Sequence, residues 1–195
     1  VDKTSNSFYT LKGSVDKLLA LAMPNSSMYD TTALSSISMP VYSLAVNRVS
    51  NVRSTLEVLA KAYNFEAVIS DKIYFRPRGT ASVSTIPYND LYSNNNSPLP
   101  IKHASDLELP SSIVVTYSNI NNDHQRDSQY STRITDIQTN TVNIELPIGL
   151  TPSSAKTITD TLLLDQSVSM TTTECSVQEK YSMLEPSDVV TVIDN

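Results

Sequence analysis

Residues 52–78, Val-Arg-Ser-Thr-Leu-Glu-Val-Leu-Ala-Lys-Ala-Tyr-Asn-Phe-Glu-Ala-Val-Ile-Ser-Asp-Lys-Ile-Tyr-Phe-Arg-Pro-Arg, constrain the fold more than any other stretch. Val52, Leu56, Leu59, Ala60 and Tyr63 recur at i, i+4, i+7, i+8 and i+11, which is one face of an amphipathic helix. Ser50 or Asn51 can cap its start, and Asn64 can take the left-handed turn that ends it. Two β-rich runs follow at once, Phe65 to Ile69 and Lys72 to Phe75, joined across Ser70-Asp71. The unit reads as helix, tight turn, hairpin, with Leu56 and Leu59 expected to pack on residues 65–76. It is compact and carries no chemistry of its own.

The rest of the chain supplies partners for this unit. Val15, Leu18, Leu19 and Ala22 predict a helix over 14–23, closed by Pro24. Residues 24–40 are turn-rich, and Val41 to Val46 reads as a strand. Residues 87–100, with three prolines and four asparagines, form the clearest break. They read either as an exposed loop touching a partner or as a spacer. Beyond them, Ile113 to Tyr117 is a strand, and Ser118 to Ser131 is a loop or hairpin tip. Val142, Ile144 and Leu146 alternate as in a half-buried strand. Thr151-Pro152 starts a third helix, with Ala155, Ile158, Leu162 and Leu163 facing inward. Met170 to Tyr181 reads as one long alternating strand and Val189 to Ile193 as another, with a turn at Leu184 to Asp188. The expected class is α+β: a small helix-plus-hairpin layer, then a β-rich, partly barrel-like module with one helix. The expected division is 1–86, a linker or exposed loop at 87–100, and 101–195.

Charge and cysteine content narrow the chemistry. A net charge of -6 makes a phosphate-tracking surface a poor fit, because nucleic-acid affinity comes largely from Lys and Arg. The one cysteine, Cys175, excludes an internal disulfide and a Cys-rich zinc site, and reads as a small strand residue. No apolar run reaches the 18 residues of a membrane-spanning helix. The opening Val-Asp-Lys-Thr-Ser-Asn lacks the pattern of a signal peptide and a starting Met, so a piece of a longer or processed polypeptide is expected.

Four stretches resemble, in order, the central hub proteins of phage tail tips, the family that includes gene-transfer-agent and lambda-type tail hubs. Ala62 to Ala67 and Ser70 to Gly79 look like the family's "A-Y-G/N-F-x-A" running into "S-D-G/K-x-I/L-x-F-R-P-R-G". Leu109 to Tyr117 looks like "L-P-x-x-V-x-V-x-Y", and Asn143 to Pro147 like "V-x-I-x-L-P". Tyr181 to Val190 looks like "Y-x-x-L-x-P-G-D-V-V", with Ser187 where the family usually has Gly. Only three glycines occur, so some turns must use Asn, Ser and Asp. The resemblance implies a virion protein of the tail tip or baseplate. It implies a trimeric hub that closes the tail tube and carries host-recognition parts. The partners implied are other copies of the chain, other tail proteins, and the tape-measure protein or DNA passing through the lumen.

Catalytic motifs are missing from the sequence. There is no Ser-centred elbow, H-E-x-x-H, glycine-rich phosphate loop or C-x-x-C. Of the two histidines, His103 lies beside a polar loop. His124 sits in Asn121-Asn122-Asp123-His124-Gln125-Arg126-Asp127, which reads as an Asp123, His124, Asp127 metal or acid/base site, or as a solvated hairpin tip. Glu57 and Glu66 lie on a helix face and a strand with no reason to converge as a glycosidase pair. Arg76-Pro77-Arg78 with Lys72 is the one basic cluster, able to touch DNA or an acidic partner, or to end a strand in solvent. The expectation is a structural protein, not an enzyme, with no catalytic, cofactor or metal residues. Two alternatives remain. One is an adhesin or carbohydrate-binding module using Tyr88, Tyr92 and Tyr130, and the other is a tail-associated peptidoglycan hydrolase.

Overall fold

A computed structural model of the chain describes residues 9–23, 25–44, 51–92, 99–105, 109–133 and 140–193. Among the described residues three α-helices form, α1 (Leu11–Ala22), α2 (Val52–Tyr63) and α3 (Pro152–Ser169). Each begins where a short polar side chain satisfies an orphan backbone donor. Thr10 Oγ1 accepts from the Gly13 N–H at 3.2 Å, Asn51 Oδ1 from Ser54 at 2.8 Å, and Thr151 Oγ1 from Ser154 at 3.1 Å. Asn64 ends α2 in the left-handed conformation at φ 53, and its N–H donates to the Ala60 carbonyl. The first helix therefore starts three residues earlier than the periodicity suggests, and Pro24 lies outside the described residues.

Strands β1 (Tyr29–Asp30), β2 (Ser43–Leu44), β3 (Phe65–Ile69) and β4 (Ile73–Pro77) come from the first part of the chain. Then follow β5 (Ser84–Ile86), β6 (Leu91–Tyr92), β7 (Ile101–His103), β8 (Ser112–Asn119), β9 (Gln125–Thr132) and β10 (Thr141–Leu150). After α3 come β11 (Thr171–Thr173), β12 (Ser176–Val177) and β13 (Val190–Val192). The main sheet has the order β2-β10-β8-β9, with β8 and β10 parallel and the other pairs antiparallel. A smaller sheet, β1-β4-β3, contains the hairpin. Among the described residues the sheets are open and none closes into a barrel.

The main sheet shows how side-chain period sets burial. Along β8, Ile113, Val115, Tyr117 and Asn119 are buried and the residues between them are not fully buried. In β10 the register shifts between Glu145 and Gly149, around Pro147, which cannot donate to the ladder. Gly149 then passes close to its antiparallel partner Ser43. A Cβ there would collide with the Ser43 hydroxyl and meet the Ile120 methyl at 3.0 Å. Helix α3 packs on β8 and β9, α1 on α2, and one buried cluster runs from Leu11, Val15 and Leu59 through Phe75 to Ile113, Ile148, Ala155 and Ile158. Residues on both sides of 87–100 thus share one core. Within 87–100, Tyr88–Asp90 makes a single 3-10 turn and Leu91–Tyr92 is β6, while 93–98 lie outside the described residues.

Three readings need correction. Ser118 to Ser131 is not mainly loop: β8 and β9 form a long hairpin whose tip is only Ile120–His124. Met170 to Tyr181 is not one strand. It breaks after β11, resumes for two residues in β12, and enters a 3-10 turn at Glu179–Tyr181. The break has a cause on the facing chain, where the partners β7 and β6 are themselves separated by residues 93–100. Only Ser43–Leu44 of the strand expected at Val41 to Val46 forms as β2. Val41 makes an isolated bridge to Tyr9, and 45–50 lie outside the described residues.

Candidate functional site

The two arginines of the basic cluster are paired with carboxylates of the same chain. Arg76, on β4, donates to Glu185 at 2.5 Å and to Asp188 at 3.0 Å, more than a hundred residues along the chain. The Glu185 N–H donates to Asp188 Oδ2 at 2.9 Å, so Asp188 both shapes its turn and holds Arg76. Arg78 pairs with Glu66 on the neighbouring strand and with Asp165 of α3 at 3.1 Å. Neither arginine is free to track a phosphate backbone. Ser187, inside the same turn, sits at φ 68, and its hydroxyl oxygen is buried without a hydrogen-bond partner among the described residues. This explains why glycine suits the position.

Asp123, His124 and Asp127 do not converge as a metal site. Asp123 and His124 turn the chain at φ 48 and 60 at the exposed hairpin tip. Asp127 faces the other way in function: it accepts from Tyr117 Oη at 3.2 Å, from Asn119 Nδ2 at 2.9 Å and from the Ser128 N–H at 2.7 Å. The Ser128 amide, followed by Asn119, holds its carboxyl below the usual aspartate range. Among the described residues no group of three or more His, Cys, Asp and Glu could hold a metal ion. His103 lies elsewhere, its Nδ1 3.1 Å from Thr171 Oγ1. Glu57 pairs with Arg53 at 2.9 Å along α2, while Glu66 pairs with Arg78. Cys175 is a free thiol of intermediate burial between β11 and β12.

The tyrosines are scattered over separate surfaces. Tyr130 is on β9 of the main sheet and Tyr92 on β6, both exposed, and Tyr88 is half-buried in the turn before β6. A second charged knot lies beside that turn. Asp90 accepts from Tyr181 Oη at 2.7 Å and pairs with Lys180 at 2.6 Å. The Lys180 hydrogen bond, then that of Tyr181, holds the Asp90 carboxyl below its ordinary value.

An apolar cleft of about 680 Å³ opens between α2 and the hairpin, which sequence reasoning missed. Val52, Leu56 and Ala60 line one wall, and Ala67, Ile69, Ile73 and Phe75 the other, with Leu19, Met23 and Leu162 beneath. Leu59 is fully buried, in the core cluster that also holds Phe65 and Phe75 of the hairpin. Leu56 is half-buried, lines the cleft with Ala67, Ile69 and Ile73 of the hairpin, and packs against the same core. The signal was present: Val52, Leu56 and Ala60 form an i, i+4, i+8 stripe along one side of the apolar face that also holds Leu59 and Tyr63.

The described residues thus combine internally paired charges, open two- to four-stranded sheets and one apolar cleft, on a mixed α+β scaffold. Residues 51–195 match the family model described as a putative phage tail protein, and the chain belongs to that family. No curated protein sequence matches it. Among solved structures, a chain from the virion of a native gene transfer agent particle superposes with a TM-score of 0.84 at 19% identity, over 95% of this chain and 42% of that chain. The tail protein from Neisseria meningitidis MC58 gives 0.63 at 14% identity, over 99% and 59%. The 43 kDa tail protein of prophage MuSo2 from Shewanella oneidensis gives 0.60 at 10% identity, over 93% and 56%. The chain thus spans between 42% and 59% of the length of these proteins, and the likeness is one of fold.

Proposed function

We propose that this chain is a segment of the central hub at the tail tip of a phage or phage-like particle. In that role it helps close the tail tube and carry host-recognition parts. The observation that carries the reading is the match of fold over 95% of the chain to a component of a gene transfer agent virion, joined to the family match over 51–195. Its role is structural and non-catalytic, its partners are other tail proteins and further copies of itself, and its symmetry in the particle is threefold. Arg76 and Arg78 are each paired with two carboxylates of this chain, which favours protein contacts over contact with DNA in the lumen. The division at 87–100 is proposed as a sequence-level boundary between two subdomains that share a core.

A reconstruction of the intact particle tests this. The expected result is three copies of the chain around the tail axis at the tip. One copy per particle, or a position on the capsid, overturns the reading. Loss of turbidity when the purified chain is added to cell wall would point instead to the hydrolase alternative.

A further inference from the structure

We propose that residues 82–92 and 176–193 form a small lobe, latched to the body of the molecule by Arg76, which turns on its connections as one unit when that latch opens. The proposal stands apart from the hub reading and concerns a motion built into the fold. The two segments are zipped to each other at both ends. β5 runs parallel to β13, with Ser84 opposite Val190 and Ile86 opposite Val192, and β6 runs antiparallel to β12. The Val83 N–H donates to the Val189 carbonyl at 2.8 Å, and the Ile193 N–H to the Ile86 carbonyl at 3.0 Å. Thr191 Oγ1 donates to Ser82 Oγ at 2.9 Å. Between the two ladders, Asp90 holds Lys180 and Tyr181. Ile86 and Leu91 are buried, yet neither belongs to the main core cluster. Among the described residues nothing from 79–108 or 164–193 does. The lobe thus has a cohesion of its own.

Its tie to the body is polar and narrow. Arg76 of β4 reaches Glu185 at 2.5 Å and Asp188 at 3.0 Å. Among the described residues no other hydrogen bond or ion pair joins the lobe to residues 9–78 or 109–170. The covalent connections are loose. Gly79 to Ser82 are exposed and belong to no helix or strand, with Gly79 at φ 68. Glu174 and Cys175, between β11 and β12, likewise belong to no strand. The third connection, 93–98, lies outside the described residues, and no part of the hinge is assigned to it. Exposed backbone with few buried contacts is where motion costs least, and a few loop positions suffice to absorb the change in φ and ψ. With little apolar surface shared with the core, the lobe takes its orientation from one guanidinium held between two carboxylates. Neutralising either side opens the latch. Opening uncovers the side of the lobe that carries Glu185 and Asp188, so amide exchange there rises while β5 and β13 stay paired.

Paired spin labels on the full chain test this, in a Cys175→Ser background. One pair spans lobe and body, at Met183→Cys and Leu164→Cys, and a control pair lies within the lobe, at Met183→Cys and Tyr92→Cys. All three positions are exposed, so the labels leave the fold intact. Two variants break the latch from opposite sides: Arg76→Gln, and Glu185→Gln with Asp188→Asn. Circular dichroism confirms folding, and either variant alone suffices if the other fails to fold. The expected result is one narrow lobe-to-body distance in the parent chain, displaced or broadened in the variants, with the within-lobe distance unchanged. A lobe-to-body distance that stays the same in the variants overturns the proposal. So does one already broad in the parent chain, since the latch then holds nothing. Equal broadening of both distances overturns it as well, because the lobe then unravels rather than turns.

Discussion

Ser187 shows how one side chain can be at odds with its backbone. An L-residue in the left-handed region costs roughly 1–2 kcal/mol, and a buried unpaired hydroxyl adds to this. Ser187→Gly is expected to raise stability by about 1 kcal/mol, read as a higher midpoint in chemical denaturation. Leu59 is the opposite case. It is fully buried among α1, α2 and the main-sheet core, so Leu59→Ala is expected to cost roughly 2–5 kcal/mol. Leu56→Ala, at the cleft wall, is expected to cost less. Equal losses for the two leucines would show that the helix faces are assigned wrongly. Asp127 is distinct from its neighbours Asp123 and His124. Removing its three hydrogen bonds by Asp127→Ala is expected to lower stability, because Tyr117 and Asn119 then lose an acceptor. A urea midpoint unchanged in that variant would place the carboxylate among solvated tip residues.

At the scale of elements, local signals were legible and distant ones were not. Asn51, Asn64 and Thr151-Pro152 announce their helix ends because a cap is chemistry between residues two to four apart. The alternation in 112–119 and 141–150 announces buried strands for the same reason. The fate of Arg76 could not be read from its own neighbourhood, since its carboxylates lie at 185 and 188. Nor could the interruption of 170–181, which is imposed by the chain it faces. The long-range tie carries a prediction. Arg76, Glu185 and Asp188 are 29%, 34% and 19% exposed, so the network is only partly screened by solvent. Arg76→Met should cost roughly 1–3 kcal/mol. It should also raise amide exchange in β5 and β13, whose turn it anchors, more than in β8. Uniform change across the chain would mean the network acts on the whole fold.

Across the whole molecule, four near-surface carboxylates are held ionised below their ordinary range. Asp30, Asp90, Asp127 and Asp160 all have their carboxyls lowered from the ordinary 3.8, chiefly by hydrogen bonds from Thr32, Lys180, the Ser128 amide and Lys156 respectively. A lowered folded value means the contribution is present above about pH 4 and is lost as pH falls through the folded values. Stability should therefore hold from neutral pH to about pH 4 and decline below it. Asp90→Asn should flatten part of that decline, and a stability flat down to pH 2 would refute the linkage. The shared core further predicts that segments before and after 87–100 unfold together, in one transition seen alike by near- and far-ultraviolet dichroism.

That shared core also has a consequence for how the protein is made. Leu11, Val15 and Leu19 of α1 find partners as far along as Ala155, Ile158 and Leu163. At about 5–20 residues added per second, roughly 8 to 30 s separate synthesis of the first of these side chains from the last. Until β8, β10 and α3 follow, the apolar faces of α1 and then of the hairpin lack the rest of the core they share. Nascent-chain truncations ending before about residue 150 should be bound by holding chaperones, and release should coincide with the emergence of α3.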